Sequence, residues 1–125
     1  MIGLPSLHEM DRAAAWGQTR IWLAIRPADM RCGFDRLAEL ARSITGQDPR
    51  GGHLFIFRSR GGDRLKVLYW DKDGMALWYK RLEAGVFKLP RAEGETVELR
   101  ASELAMLLDG IDLRSVKRIS RYCNK

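Results

Sequence analysis

From His53 to Leu82 the chain runs as three β-rich segments separated by two short breaks, SRGGD and DKDG, and no other feature restricts the fold as much. The segments His53–Arg58, Arg64–Asp71 and Met75–Leu82 have the composition and spacing of strands joined by tight connections. Asp73-Gly74 is a strong signal for a two-residue type I′ hairpin turn, whose central positions both need positive φ. That turn sets a register in which Lys72 faces Met75, Trp70 faces Leu77, Val67 faces Lys80, Lys66 faces Arg81 and Arg64 faces Glu83. One face of the hairpin then carries Leu65, Val67, Tyr69, Trp78, Lys80 and Leu82. The other carries Arg64, Lys66, Leu68, Trp70, Leu77, Tyr79 and Arg81, with basic and aromatic groups interleaved.

The flanking elements follow from other signals. Arg20–Ile25 (RIWLAI) reads as a strand ended by Pro27, which cannot donate to a ladder. Met30, Phe34, Leu37, Ala41 and Ile44 then recur at spacings of four and three, one face of a helix, with Asp29 as its N-cap and Gly46 as its stop. Gln47–Gly52 is turn chemistry, Val86–Leu89 a weaker fourth strand of the meander, and Arg91–Thr96 a polar loop. A last helix, about Ser102–Asp109, turns Leu104, Leu107, Leu108 and Ile111 toward the sheet and stops at Gly110. The expected fold is α+β: an antiparallel β-meander of four to five strands packed with one helix from the N-terminal half and one C-terminal helix. A single domain over residues 19–113 would be flanked by an ill-defined opening, 1–18, and a basic tail, 114–125.

Composition removes whole classes of function. The longest aliphatic or aromatic runs, Ile21–Ile25 and Leu54–Phe57, are far too short to cross a bilayer as a helix, and MIGLPSLHEMDRAAAWG lacks the basic opening and apolar run of a secretory signal. A cytoplasmic protein is expected. Cys32 and Cys123 have no CxxC or Cys/His spacing, so neither zinc nor a disulfide framework is indicated. His8 and His53 sit at no ligand spacing, Asp71 and Asp73 flank a turn that favours Asp for backbone reasons, and Arg60-Gly61-Gly62-Asp63 lacks the following helix of a phosphate cradle. Met106 and its neighbouring leucines form a core stripe, not a cofactor box. No cofactor, metal or catalytic residue is expected.

Charge is distributed more informatively than its total of +6. Residues 50–91 hold ten basic and four acidic groups, whereas residues 92–110 hold one basic and five acidic. A basic centre can steer a polyanion, and two cations opposed across a strand pair destabilise it unless they splay apart or share an anion. The candidate DNA-binding residues are therefore Arg58, Arg60, Arg64, Lys66 and Arg81 for phosphates, with Trp70 and Tyr79 for stacking on exposed bases. The competing reading has one helix covering Leu68, Trp70, Leu77 and Tyr79 while the cations snorkel at the sheet edge.

Four blocks in order, DMRCGFDRL at Asp29–Leu37, GHLFIFRSRGGDRLKVLYWDKDG at Gly52–Gly74, LWYKRLEAGVF at Leu77–Phe87 and LAMLLDGIDL at Leu104–Leu113, carry a family resemblance. Over about Thr19–Leu113 the chain resembles the TnpB accessory protein, the second reading-frame product, of the IS66 family of insertion sequences. The resemblance implies a non-catalytic part in DNA transposition beside a separate, larger transposase that holds the catalytic acids. Its implied partners are the element's end DNA and that transposase. An adaptor that docks on the transposase through exposed aromatics and the acidic segment Glu93–Asp109, without touching DNA, is the alternative. Two departures stand out: Leu7–Gly17 is extra or divergent, and Arg100 occupies the usual Thr or Ser cap position of the last helix, leaving Ser102 as a replacement.

Overall fold

A computed structural model describes residues 19–109. The segment LFIF begins strand β2 (Leu54–Arg58) and is buried on both faces, as an unbroken apolar run requires. It lies at the centre of a five-stranded sheet with β1 (Ile21–Ala24), β3 (Arg64–Asp71), β4 (Gly74–Arg81) and β5 (Thr96–Leu99), in the order β4-β3-β2-β1-β5. Strands β2, β3 and β4 form the expected meander. β1, however, pairs with β2 in parallel, Ile21 beside Leu54 and Leu23 beside Ile56. Parallel neighbours need a crossover, and helix α1 (Phe34–Thr45) supplies it.

α1 starts four residues later than expected, at Phe34 instead of Met30, and its N-cap moves from Asp29 to Gly33. Gly33 occupies that cap without a side-chain bond, and Asp29 instead closes an Asx turn, accepting the Arg31 N–H at 2.9 Å and its guanidinium at 2.7 Å. That side-chain bond, reinforced by the backbone one, holds the Asp29 carboxyl down at about 2. The stop is as expected: Gly46 is left-handed, and its N–H reaches the Arg42 carbonyl at 2.9 Å. Leu37 and Ala41 are buried against Phe55, Phe57 and Leu68 on one side of the sheet. Phe34, on the same periodic stripe, stays 47% exposed.

The other face is closed by helix α2 (Ala101–Leu108), whose Leu104 and Leu107 pack with Ile56, Leu65 and Val67. Arg100 is its N-cap, and its N–H donates to Glu103 Oε1 at 2.8 Å, so Ser102, expected as the cap, lies inside the first turn instead. The expected stop at Gly110 and the inward Ile111 lie outside the described residues. Two further expectations are corrected. Val86–Leu89 is not a strand: Phe87 is fully buried and its N–H reaches the Gly62 carbonyl at 2.8 Å, so the segment crosses the end of the sheet and reaches Pro90. An unexpected strand, β5, lies antiparallel to β1 with Val97 beside Leu23. Its Glu98, paired with Arg20 at 3.6 Å, disguised the alternation as loop polarity.

The β3–β4 register also differs from the expected one. Trp70 faces Met75, Lys66 faces Tyr79 and Arg64 faces Arg81, because the chain reverses over Lys72 and Asp73. Lys72 takes the positive φ, 59°; Gly74 does not and is the first residue of β4. The Asp73 N–H closes on the Asp71 carbonyl at 2.5 Å, and Trp70 Nε1 donates to Lys72 O at 3.1 Å. A slip of two residues leaves every side chain on its expected face. It changes only which residues stand opposite. Gly74→Ala should therefore leave the midpoint of thermal unfolding unchanged or slightly raised, and Lys72→Gly should stabilise by up to about 1 kcal/mol by relieving a left-handed side chain. A loss of about 1 kcal/mol in Gly74→Ala would restore the Asp73-Gly74 turn.

Candidate nucleic-acid interface

The topology gathers at one end of the sheet the C-terminal ends of β1, β2 and β4 and the start of β3. Arg58 is the last residue of β2, Arg60 lies in the connection, Arg64 opens β3 and Arg81 ends β4. The connection is rigid. Ser59 N–H donates to the Arg64 carbonyl at 3.0 Å, Gly62 N–H to the Ser59 carbonyl at 3.0 Å, and the buried Ser59 hydroxyl accepts the Arg64 N–H at 3.1 Å. The β1–α1 loop folds over the same end, its Ala28 N–H donating to the Arg58 carbonyl at 2.9 Å. Between them lies a cleft of ≈ 650 Å³, lined by Met30, Arg31, Ser59, Arg60, Asp63 and Arg64.

A second groove, of ≈ 420 Å³, opens where the 86–92 segment crosses the sheet end, with Arg58, Lys88 and Arg91 around apolar Val86, Leu89 and Pro90. Arg58 stands beside it: Nη1 donates to the Phe87 carbonyl at 3.3 Å, and Nε is buried without a hydrogen-bond partner among the described residues. Ion pairs among the described residues engage Arg20, Arg31, Arg42 and Arg100, but none engages Arg58, Arg60, Arg64 or Arg81. Lys88 and Arg91 belong to this end too and were missed as site residues. They were visible only as part of the basic excess of residues 50–91, Lys88 inside an expected strand and Arg91 at the start of an expected polar loop.

The remaining sequence candidates are placed differently. Lys66 is 6% exposed, and its ammonium donates to the Met30 carbonyl at 2.6 Å and the Cys32 carbonyl at 2.9 Å. It also sits 4.8 Å from the centre of the Tyr79 ring. Lys66 thus braces the loop under the cleft, and Arg64, not Lys66, stands opposite Arg81. Tyr79 is half exposed, with Lys66 over its ring. Trp70 is six residues along β3 from Arg64, about 20 Å at strand rise, and partly buried. Only Leu68 and Leu77 of the interleaved face join the α1 core together with Met75.

Other chemistry is sparse. His53 Nδ1 accepts the Arg20 N–H at 3.1 Å, and burial, with the nearby Arg20 charge, pushes its pKa below the ordinary value. The ring is therefore a neutral acceptor near pH 7; His8 lies outside the described residues. No group of three or more His, Cys, Asp or Glu residues that could hold a metal forms among the described residues. No helix there is long and apolar enough to cross a membrane.

The profile of the family described as IS66 Orf2 like protein matches residues 19–118. The chain belongs to this family. Its relatives include the uncharacterized protein y4hO of Sinorhizobium fredii (strain NBRC 101917 / NGR234), 43% identical over 95 residues, 76% of this chain and 83% of that one. A second from the same strain, uncharacterized protein y4jC, is 38% identical over 99 residues, covering 79% and 85%. No solved structure matches the chain. The resemblance carried by the four sequence blocks is thus confirmed, and membership gives the chain an accessory role related to transposition.

The bracing role of Lys66 has a measurable consequence. Lys66→Met keeps the length of the stem but strands two carbonyls, and should lower stability in urea by about 1–3 kcal/mol. An unchanged midpoint would show that the ammonium does not hold the loop.

Proposed function

We propose that the chain is a non-catalytic accessory factor that grips the DNA phosphate backbone with the cationic end of its sheet. One observation carries the reading: Arg58, Arg60 and Arg64 converge there without carboxylate partners, and Lys88 and Arg91 line the adjoining groove. Cations left without carboxylate partners beside open clefts suit an external polyanion, and arginine matches phosphate geometry through its planar fork. The connection that presents Arg60 is fixed by its own backbone and Ser59 bonds, so little order is lost on binding. Phosphate contacts of this kind position a protein on DNA without reading its sequence. Sequence choice at the element ends then falls to the transposase, the second expected partner.

The phosphate reading makes the affinity depend on salt. With five cations engaged, the logarithm of the binding constant for an element-end duplex should fall with the logarithm of salt concentration at a slope of about −4.5. Arg60→Glu and Arg64→Glu should each weaken gel-shift binding while leaving the unfolding midpoint within about 0.5 kcal/mol. Absence of a shift at low salt, or binding indifferent to salt, would overturn the proposal. If the chain then co-purified with the transposase alone, the adaptor reading would replace it.

A further inference from the structure

The two edges of the sheet are not alike. β5 is four residues long and carries Glu98, a short and charged edge of the kind that discourages pairing. β4 is eight residues long, GMALWYKR, with no proline, no bulge in its pairing with β3, and no neighbour on its outer side among the described residues. Its first five residues are half-buried and carry no charge, so nothing on that stretch repels another strand.

We propose that β4 pairs antiparallel with β4 of a second copy, joining two sheets into one of ten strands. The register follows from geometry and charge. Two copies related by a twofold axis normal to the sheet must place opposite one another residues that share a face, so the axis lies midway between the two copies of one β4 residue. An axis at Ala76 sets Lys72 against Lys80 of the partner, and an axis at Trp78 leaves Arg81 against Met75. An axis at Leu77 sets Asp73 against Arg81 twice, Met75 against Tyr79 twice and Ala76 against Trp78 twice. In that register Asp73 meets its opposite in Arg81, Lys80 faces Gly74 and Lys72 faces Leu82, so no two cations are opposed, and the half-exposed Tyr79 ring gains a thioether neighbour. It also offsets the like-charge opposition of Arg64 and Arg81 within one chain. This assigns Arg81 to the interface and leaves Arg58, Arg60 and Arg64 to the proposed DNA surface, so the two proposals stand or fall separately.

Position 77 is the only one that would face itself across the axis, which gives a specific test. In a full-length background carrying Cys32→Ser and Cys123→Ser, Leu77→Cys should form a disulfide-linked dimer under mild oxidation, since directly opposed strand residues lie within disulfide reach. Met75→Cys and Tyr79→Cys should each fail to cross-link alone and succeed when mixed. In sedimentation equilibrium, Arg81→Glu should weaken self-association about tenfold, and Asp73→Arg in the same chain should restore it. A chain that stays monomeric at all concentrations with no cross-link at position 77 overturns the proposal, as it would if the chain's own residues 110–125 cover β4. Cross-linking that is equally strong at positions 75, 77 and 79 points to random collision and overturns it too. Loss of DNA affinity in Arg81→Glu with unchanged sedimentation would return Arg81 to the DNA surface.

Discussion

The ammonium of Lys66, buried beneath the β1–α1 loop, is the contact on which the basic end of this molecule depends. A charged group of this kind is stable inside only when its donors are satisfied, and here two backbone carbonyls, of Met30 and Cys32, and the face of Tyr79 take them up. The same bonds satisfy carbonyls that no helix or strand uses. Together with the Ala28–Arg58 backbone bond, they fasten the loop across the strand ends. The excursion between strand and helix thereby becomes one wall of a cleft.

The parallel pairing of β1 with β2 gives that wall its position. A crossover connection leaves the C-terminal ends of both strands at the same end of the sheet, where loops are free to vary without disturbing the ladder. The β2–β3 connection and the segment crossing at Phe87 converge on the same end. Buried apolar groups, Phe87 above all, anchor the segment, and its cations stay at the groove. Packing therefore sets where the charges go. The basic bias of residues 50–91 becomes a local field because these turns are held together.

Much of this was legible in the sequence where a local rule governs. The α1 stripe, its Gly46 stop, the three meander strands and the faces of the β3–β4 hairpin follow from periodicity, and the faces survived even a wrong turn because a two-residue slip preserves them. The α+β class and the IS66 family were readable as well. What failed depended on long-range competition. Nothing within RIWLAI says that its neighbour is parallel, and nothing near Val86 says that Phe87 will bond to Gly62. The polar look of the segment before α2 hid β5, since a strand at the edge tolerates the charges that a loop also has. Lys66 was the instructive case. By composition it joined the phosphate-binding set, and only the loop 34 to 36 residues earlier reveals it as a brace.

The account turns on where DNA touches the protein, and amide chemical-shift mapping of the isotopically labelled chain, titrated with a short duplex at low salt, addresses that directly. The account predicts shifts concentrated at residues 58–64 and 86–91, with the outer surface of α1 around Arg36 and Glu39 and the β5 edge unmoved. Shifts centred on α1 or β5, or none at saturating duplex, would contradict it.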